Sequence, residues 1–193
     1  MFRTSPRFGA ACRFSIGRCP NSSKRTVRTA SRRRPPTRVR EQRSGYSISL
    51  PGPLYCDTSA LAKLYVREPG SDEFNAVIEG RTDIMVSELT VTEMVSALAR
   101  LLREGALTRE AVLRIQQAVM ERLGDGTYQR VELTPETHRR AEHLLLQLSQ
   151  TPLRAADALH LALALSTRAP SLASFDSRLA AAARAVGLAT YPR

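Results

Sequence analysis

The sequence predicts an α/β fold in which a mainly parallel central sheet carries helices on both faces. From residue 53 onward, short apolar runs typical of buried strands alternate with longer segments of helical periodicity. Glycine and proline separate the segments, as at Pro69-Gly70 and Gly105. Strands that alternate with helices are joined by right-handed crossovers, which favours parallel strands covered on both faces.

The first half of this region predicts two strands and four helices. Apolar runs that end at acidic or polar residues predict strands over Leu54–Cys56 and Asp83–Val86. Helical periodicity with a Gly, Pro or cap residue at each end predicts the helices, which are expected over Ser59–Glu68, Asp72–Ile78, Glu88–Arg103 and from the capping Thr108 to Leu123.

The second half predicts three further strands and three further helices. Tyr128–Leu133 alternates apolar and polar residues, which is typical of a strand, and two short apolar segments predict strands over Ser171–Phe175 and Leu188–Tyr191. A proline in the first turn, a nearly all-apolar run and an alanine-rich run predict the helices, which are expected over Pro135–Leu148, Ala155–Thr167 and Ser177–Val186.

Composition excludes several classes of protein. Hydrophobic residues make up 42% and charged residues 24% of the 193 residues, as in ordinary globular proteins. No run of about 18 apolar residues exists, so no membrane span is expected. The three cysteines are too few for a disulfide framework and lack zinc-site spacing, so a reducing cytoplasm is the expected location.

The net charge of +11 is concentrated at the beginning of the chain. Residues 1–50 hold 13 of the 29 Lys and Arg residues and only one of the 18 acidic residues, Glu41. We therefore divide the chain into a basic extension over residues 1–52, expected to be disordered, and a nearly neutral domain over residues 53–193. Three interpretations of the extension remain open: an arm that binds RNA, an organellar transit peptide, or translated upstream sequence from a start codon placed too early.

Four acidic residues are candidates for a functional site. Asp57 and Asp176 follow predicted strands, where ligands gather in parallel sheets, although each would also serve as a helix N-cap. Asp157 lies near the start of an apolar helix, where its alternative role is a first-turn acid favoured by the helix dipole. Glu93 lies off the apolar stripe of its helix, so its alternative is a solvated surface position.

Together, these carboxylates are the oxygen ligands that Mg²⁺ or Mn²⁺ prefers. Such ions lower the pKa of an attacking water and polarise a phosphoryl group, which is most of what phosphodiester hydrolysis needs. No nucleophile triad, glycine-rich dinucleotide motif or P-loop competes with this interpretation. A single histidine near the proposed site, His160, is more typical of a hydrogen bond in the core.

Four segments resemble VapC-type PIN domains, each carrying one of the acidic residues. In chain order they are Leu54–Tyr65 with the motif Asp57-Thr58-Ser59-Ala60, Ser87–Arg100 with Glu93, Leu153–Ala162 with Asp157, and Ser174–Leu188 with Asp176. The likeness extends from about Leu54 to Tyr191. The basic extension departs from the family, whose members usually begin at the first strand.

The resemblance implies an Mg²⁺-dependent endoribonuclease, with Mn²⁺ as the alternative ion. It further implies a toxin that is inhibited by a cognate antitoxin and forms a homodimer. Asp57, Glu93, Asp157 and Asp176 would bind or orient the metal, and Ser59 would hydrogen-bond within the acidic site. Two other classes remain open: a non-catalytic nucleic-acid-binding module, and a phosphatase of the haloacid-dehalogenase type, which would need a second Asp where Ser59 stands.

Overall fold

The structure is a computed structural model that describes residues 50–193. The predictions for residues 1–49 of the basic extension lie outside this part of the chain. None of the helices in residues 50–193 is long and apolar enough to cross a membrane.

Five strands form one sheet in which every neighbouring pair is parallel. The order is β3-β2-β1-β4-β5. The strands are β1 (Leu54–Cys56), β2 (Ile84–Ser87), β3 (Tyr128–Val131), β4 (Ser171–Ala173) and β5 (Ala189–Tyr191). The central strand is β1, whose Cys56 pairs with Val86 of β2 on one side and Ala173 of β4 on the other. The prediction of a mainly parallel sheet is confirmed.

Seven helices cover the sheet between residues 50 and 193. They are α1 (Thr58–Lys63), α2 (Ser71–Ile78), α3 (Glu88–Arg103), α4 (Arg109–Gly124), α5 (Pro135–Gln147), α6 (Ala155–Ser166) and α7 (Ser177–Ala185). Buried residues of α1 to α4 pack with Leu54 and Cys56 in one core, and those of α5 to α7 pack with Tyr55 in a second. Because successive side chains of a strand point to opposite faces, the two cores lie on opposite faces of the sheet, as predicted.

The helix starts follow from the polar residues placed before them. Side-chain oxygens of Asp57, Ser87, Thr108, Thr134 and Asp176 accept hydrogen bonds from backbone N–H groups in the first turns of their helices. Asp57 and Asp176 therefore do act as N-caps, which leaves their carboxylates at the ends of α1 and α7 that face the sheet edge.

Helix α1 is shorter than the sequence pattern suggests. The predicted helix reaches Glu68, whereas α1 ends at Lys63 with Leu64 as its C-cap. The Lys63 ammonium pairs with Glu68 at 2.7 Å and also donates to the Pro69 carbonyl at 3.0 Å, so the following segment folds back towards the helix. The apolar periodicity of the sequence continues beyond Lys63, but these contacts of Lys63 accompany a turn there. The helix therefore ends before the periodicity does.

Residues 50–52 are packed against the domain. Leu50 is only 4% exposed, and its carbonyl accepts a hydrogen bond of 2.9 Å from Arg81. The carbonyl of Pro51 accepts a hydrogen bond of 2.5 Å from Ser171. The side chain and backbone just before β1 are therefore part of the folded unit.

Candidate active site

The candidate site lies where the order of the strands changes direction. From β1 the chain continues to β2 on one side, and it later returns to β4 on the other side. The crevice beyond the carboxyl ends of two such strands is where parallel sheets bind ligands. Asp57 follows β1 directly, and Ser174 follows β4; the Asp57 N–H donates to the Ala173 carbonyl at 3.1 Å. These two residues therefore border this crevice.

Asp57 is a buried carboxylate held by hydrogen bonds. It is 4% exposed and accepts from Ser59 Oγ at 2.8 and 3.0 Å, from the Ala60 N–H at 2.8 Å and from Ser174 Oγ at 2.6 Å. Within residues 50–193 it forms no salt bridge with Lys or Arg. Burial raises the pKa of Asp57, whereas His160 and these hydrogen bonds act in the opposite direction. No Lys or Arg among residues 50–193 therefore neutralises the ionised form through a salt bridge.

Glu93 lies in α3 and faces this site. Its Oε2 accepts a hydrogen bond of 2.5 Å from Thr58 Oγ1 and lies 2.8 Å from His160 Nε2. The side chain is 34% exposed, so Glu93 is partly buried. The hydrogen bond with His160, followed by the one from Thr58, holds the pKa of Glu93 below its usual range despite partial burial. Glu93 is therefore ionised beside Thr58, the residue after Asp57.

Asp176 and Asp157 share one basic neighbour, Arg178. Asp176 accepts from the Arg178 backbone N–H at 2.8 Å and from its guanidinium at 3.2 Å. Burial alone would raise the pKa of Asp176, but the hydrogen bonds from Arg178 and Leu179 outweigh it and lower that pKa. Asp176, and more weakly Asp157, raise the pKa of Arg178. Asp157 is partly buried in the first turn of α6, where it accepts from the Arg154 N–H at 3.0 Å.

A protein-family comparison decides the classification. The model of the PIN domain matches residues 54–185, which include all the strands except β5 and all four acidic candidates. The chain belongs to the PIN-domain family. The resemblance inferred from the four sequence segments is thereby confirmed.

Two curated relatives of this PIN domain are ribonucleases with VapC names. The chain is 36% identical over 141 residues to the ribonuclease VapC45 of Mycobacterium tuberculosis, covering 72% of this chain and 94% of the relative. Among solved structures, the fold matches VapC20 of M. tuberculosis, described as a sarcin-ricin loop cleaving toxin, with a TM-score of 0.54 and 18% identity over 67% of this chain and 95% of that one. It also matches VapBC2 of Rickettsia felis bound to a DNA fragment from their promoter, with a TM-score of 0.53 and 14% identity over 71% of this chain and 96% of that one.

Shared neighbours link the four acidic residues of the PIN domain in pairs. His160 interacts electrostatically with Asp57 and Glu93, and Arg178 interacts in the same way with Asp176 and, more weakly, with Asp157. Ser174 Oγ donates to Asp57 and accepts from the Asp176 N–H at 3.0 Å, which links the two pairs. As these side chains stand, no three His, Cys, Asp or Glu residues between positions 50 and 193 form a group that could hold one metal ion.

A hard divalent cation fits the chemistry of the pair formed by Asp57 and Glu93. Mg²⁺ takes oxygen ligands and is usually bound through one or two carboxylates, with water completing its shell. Asp57 and Glu93 offer two carboxylates, and the buried charge of Asp57 would gain the counter-charge that residues 50–193 do not give it through a Lys or Arg salt bridge. The donor set therefore suits Mg²⁺ or Mn²⁺.

Sequence reasoning missed several polar neighbours of the carboxylates. Thr58 and Ser174 looked like ordinary residues beside the acidic motifs, yet each donates to a candidate carboxylate. Ser59 bonds to Asp57 within the acidic site as expected, and its Oγ also accepts from the Phe175 N–H at 2.7 Å. The expected core hydrogen bond of His160 is present, since this residue is 3% exposed and contacts Tyr55. The available signal in the sequence for a place of His160 near the site was its position three residues after Asp157, since side chains with that spacing lie on one face of a helix.

Proposed function

We propose that this PIN domain is an Mg²⁺-dependent endoribonuclease, with Mn²⁺ as the alternative ion, and the toxin of a toxin–antitoxin pair. The observation that carries the proposal is the buried Asp57 carboxylate beside Glu93 at the strand-order switch, with hydrogen bonds but no basic salt-bridge partner in residues 50–193. The ribonuclease names of the relatives supply the reaction class. VapC20, which is described as cleaving the sarcin-ricin loop, makes structured RNA a reasonable substrate class to test first.

In this proposal Asp57 and Glu93 would hold the metal, and Asp157 and Asp176 would help to bind or orient it. A bound divalent ion activates water and stabilises the charge that develops on the phosphoryl group. Ser59 and Ser174 fix both oxygens of Asp57, so the carboxylate does not have to reorganise when the ion arrives. Arg178, partly exposed beside Asp176, brings a cationic group to which a phosphate of the RNA can bind.

The partner assignments are part of the same proposal. The fold likeness to VapBC2 supports a cognate antitoxin that binds this chain, and VapC-type kinship supports a homodimer. The basic residues of positions 1–50 would add salt-sensitive affinity for the phosphate backbone of RNA if that segment remains on the protein.

Cleavage assays on the purified full chain test the proposed activity. Structured RNA is incubated with Mg²⁺, with Mn²⁺ or with excess EDTA, and a small phosphate ester is supplied in parallel. The proposal predicts internal RNA cleavage that requires the metal and that Asp57→Asn abolishes. RNA binding without cleavage would favour the non-catalytic module. Hydrolysis of the small ester alone would favour a phosphatase, although Ser59 donates to Asp57 where that class needs a second carboxylate.

A further inference from the structure

A line of buried hydrogen bonds leads from Glu93 into the centre of the sheet. His160, on α6, contacts Glu93 Oε2 through its Nε2 at 2.8 Å and the Tyr55 hydroxyl through its Nδ1 at 2.8 Å. Tyr55 is fully buried in β1, and its ring meets the His160 ring edge-on with centroids 5.9 Å apart. The imidazole is thus held at both nitrogens, and rotating it would break at least one of the two bonds.

The line ends on the backbone of β1. Tyr55 donates to Ser87 Oγ at 2.9 Å, and Ser87 also bonds to the Thr90 hydroxyl at 2.9 Å. Thr90 Oγ1 donates to the Cys56 carbonyl at 3.3 Å, one residue before Asp57. Within residues 50–193 no buried side-chain nitrogen or oxygen lacks a hydrogen-bond partner. A fully satisfied network of this kind is rigid, and it ties α3 and α6 to the strand that carries Asp57.

The hydrogen bonds that residues 50–193 make to Glu93 use one of its two oxygens. Both Thr58 and His160 contact Oε2. An ionised carboxylate can only accept hydrogen bonds, so His160 Nε2 donates to Glu93 Oε2. The Glu93 side chain is 34% exposed against 4% for His160, so Glu93 is fixed from its buried side and stays accessible from the crevice. The remaining oxygen, Oε1, has lone pairs available for a cation.

We propose that His160, locked by Tyr55, is a positioning residue that holds the Glu93 carboxylate in place for a divalent cation shared with Asp57. This inference rests on the proposed metal-dependent function and adds to it a dedicated support for one ligand. Residues that orient a metal ligand in this way typically contribute about 10- to 100-fold to metal affinity or activity. His160 itself does not touch the ion or the RNA.

Two substitutions of His160 separate positioning from packing. His160→Asn places an amide where Nδ1 stands and keeps the contact with Tyr55, but it does not reach Glu93. His160→Gln places an amide where Nε2 stands and keeps a donor for Glu93. His143→Asn, on the exposed face of α5, is the matched control. The affinity of each protein for Mn²⁺ is measured by electron paramagnetic resonance, and its melting temperature by circular dichroism in EDTA.

We expect His160→Asn to bind Mn²⁺ about 10- to 100-fold more weakly than the unchanged protein, and His160→Gln to stay within about threefold. Equal affinity in His160→Asn and the unchanged protein would overturn the proposal. So would equal losses in the Asn and Gln variants that follow their melting temperatures, because a packing role predicts that pattern. If His160→Asn does not fold, Tyr55→Phe removes one hydroxyl only and should weaken Mn²⁺ binding at least about threefold; no change there would also overturn the proposal.

The same measurements distinguish this inference from the proposed function. A protein that binds Mn²⁺ but leaves RNA intact would contradict the nuclease, and the affinity of the His160 variants would still decide the positioning role. If the protein cleaves RNA but His160→Asn leaves its Mn²⁺ affinity unchanged, the proposed function stands and the positioning role of His160 is contradicted. A protein that binds no Mn²⁺ at millimolar concentration would contradict both.

Discussion

Replacing Asp157 by Asn separates the structural and the chemical roles of this residue. The side chain caps the first turn of α6 by accepting from the Arg154 N–H at 3.0 Å, and an amide oxygen can accept the same bond. The fold therefore loses the interaction of a first-turn charge with the helix dipole, which contributes about 0.3–1 kcal/mol, and a weak attraction to Arg178. For a domain of this size that corresponds to a fall in melting temperature of about 4 °C or less.

The effect of Asp157→Asn on cleavage should be much larger. Metal-assisted stabilisation of a transition state contributes several kcal/mol, and each 1.36 kcal/mol corresponds to about a tenfold change in rate. Losing one of four carboxylates around the crevice should therefore lower kcat/KM for RNA cleavage in Mg²⁺ by at least about 100-fold. The change in stability is too small to account for a loss of that size.

The assay compares initial rates of RNA cleavage and melting temperatures of the unchanged protein, Asp157→Asn and Glu110→Gln. Glu110 is also a first-turn acid, but α4 begins beyond the far end of α3, away from the acidic site. The control should keep its activity and lose no more stability than Asp157→Asn. Full metal-dependent activity in Asp157→Asn would refute the catalytic role and leave Asp157 as a helix cap.

Three further predictions follow from the packing and charge of the chain. A protein that starts at Leu50 should keep its fold and its metal-dependent cleavage. One that starts at Leu54 should lose roughly 3 kcal/mol in urea unfolding, because the buried Leu50 side chain and the hydrogen bonds accepted by the carbonyls of Leu50 and Pro51 disappear. Equal midpoints of urea unfolding for the two truncated proteins would contradict this prediction. Burial raises the pKa of Asp57 in the folded state above its usual 3.8, so the associated stability is complete below about pH 4 and is lost as pH rises through the folded pKa. In EDTA, Asp57→Asn should therefore gain stability relative to the unchanged protein as the pH rises above about 4. A difference in melting temperature that does not change with pH would count against this reasoning. Removing residues 1–49 should also make RNA binding weaker and less salt-sensitive. Filter binding at several salt concentrations measures this, and an unchanged slope of log Kd against log salt concentration would show that the basic residues do not contact RNA.

The fold could be predicted from the sequence because each element carries its own local signal. Apolar runs mark the strands, and Thr108 and the first-turn Pro135 mark helix starts that the structure confirms. The errors occur at the ends of elements, where contacts of particular side chains that periodicity does not show decide the end. Strand β4 was predicted to reach Phe175 but ends at Ala173, because Ser174 turns its hydroxyl towards Asp57, 117 residues earlier.

The candidate site was predictable in its acidic residues but not in its connections. The sequence pattern places Asp57 and Asp176 after strands, yet it does not reveal that β1 and β4 are neighbours, which depends on the order of strands in the sheet. The contacts of Glu93 depend on how α3 and α6 pack around β1. Periodicity predicts a surface position for Glu93, and only the folded chain brings Thr58 and His160 to its carboxylate.

The most direct test of the account is the position of a bound ion in crystals soaked in Mn²⁺, located by anomalous scattering. The account predicts a peak in the crevice beyond β1 and β4, with carboxylate oxygens of Asp57 and Glu93 about 2.1 Å from the ion. It predicts no such peak in crystals of Asp57→Asn treated in the same way. An ion bound elsewhere, with the Asp57 and Glu93 carboxylates left without metal at saturating Mn²⁺, would contradict the central claim.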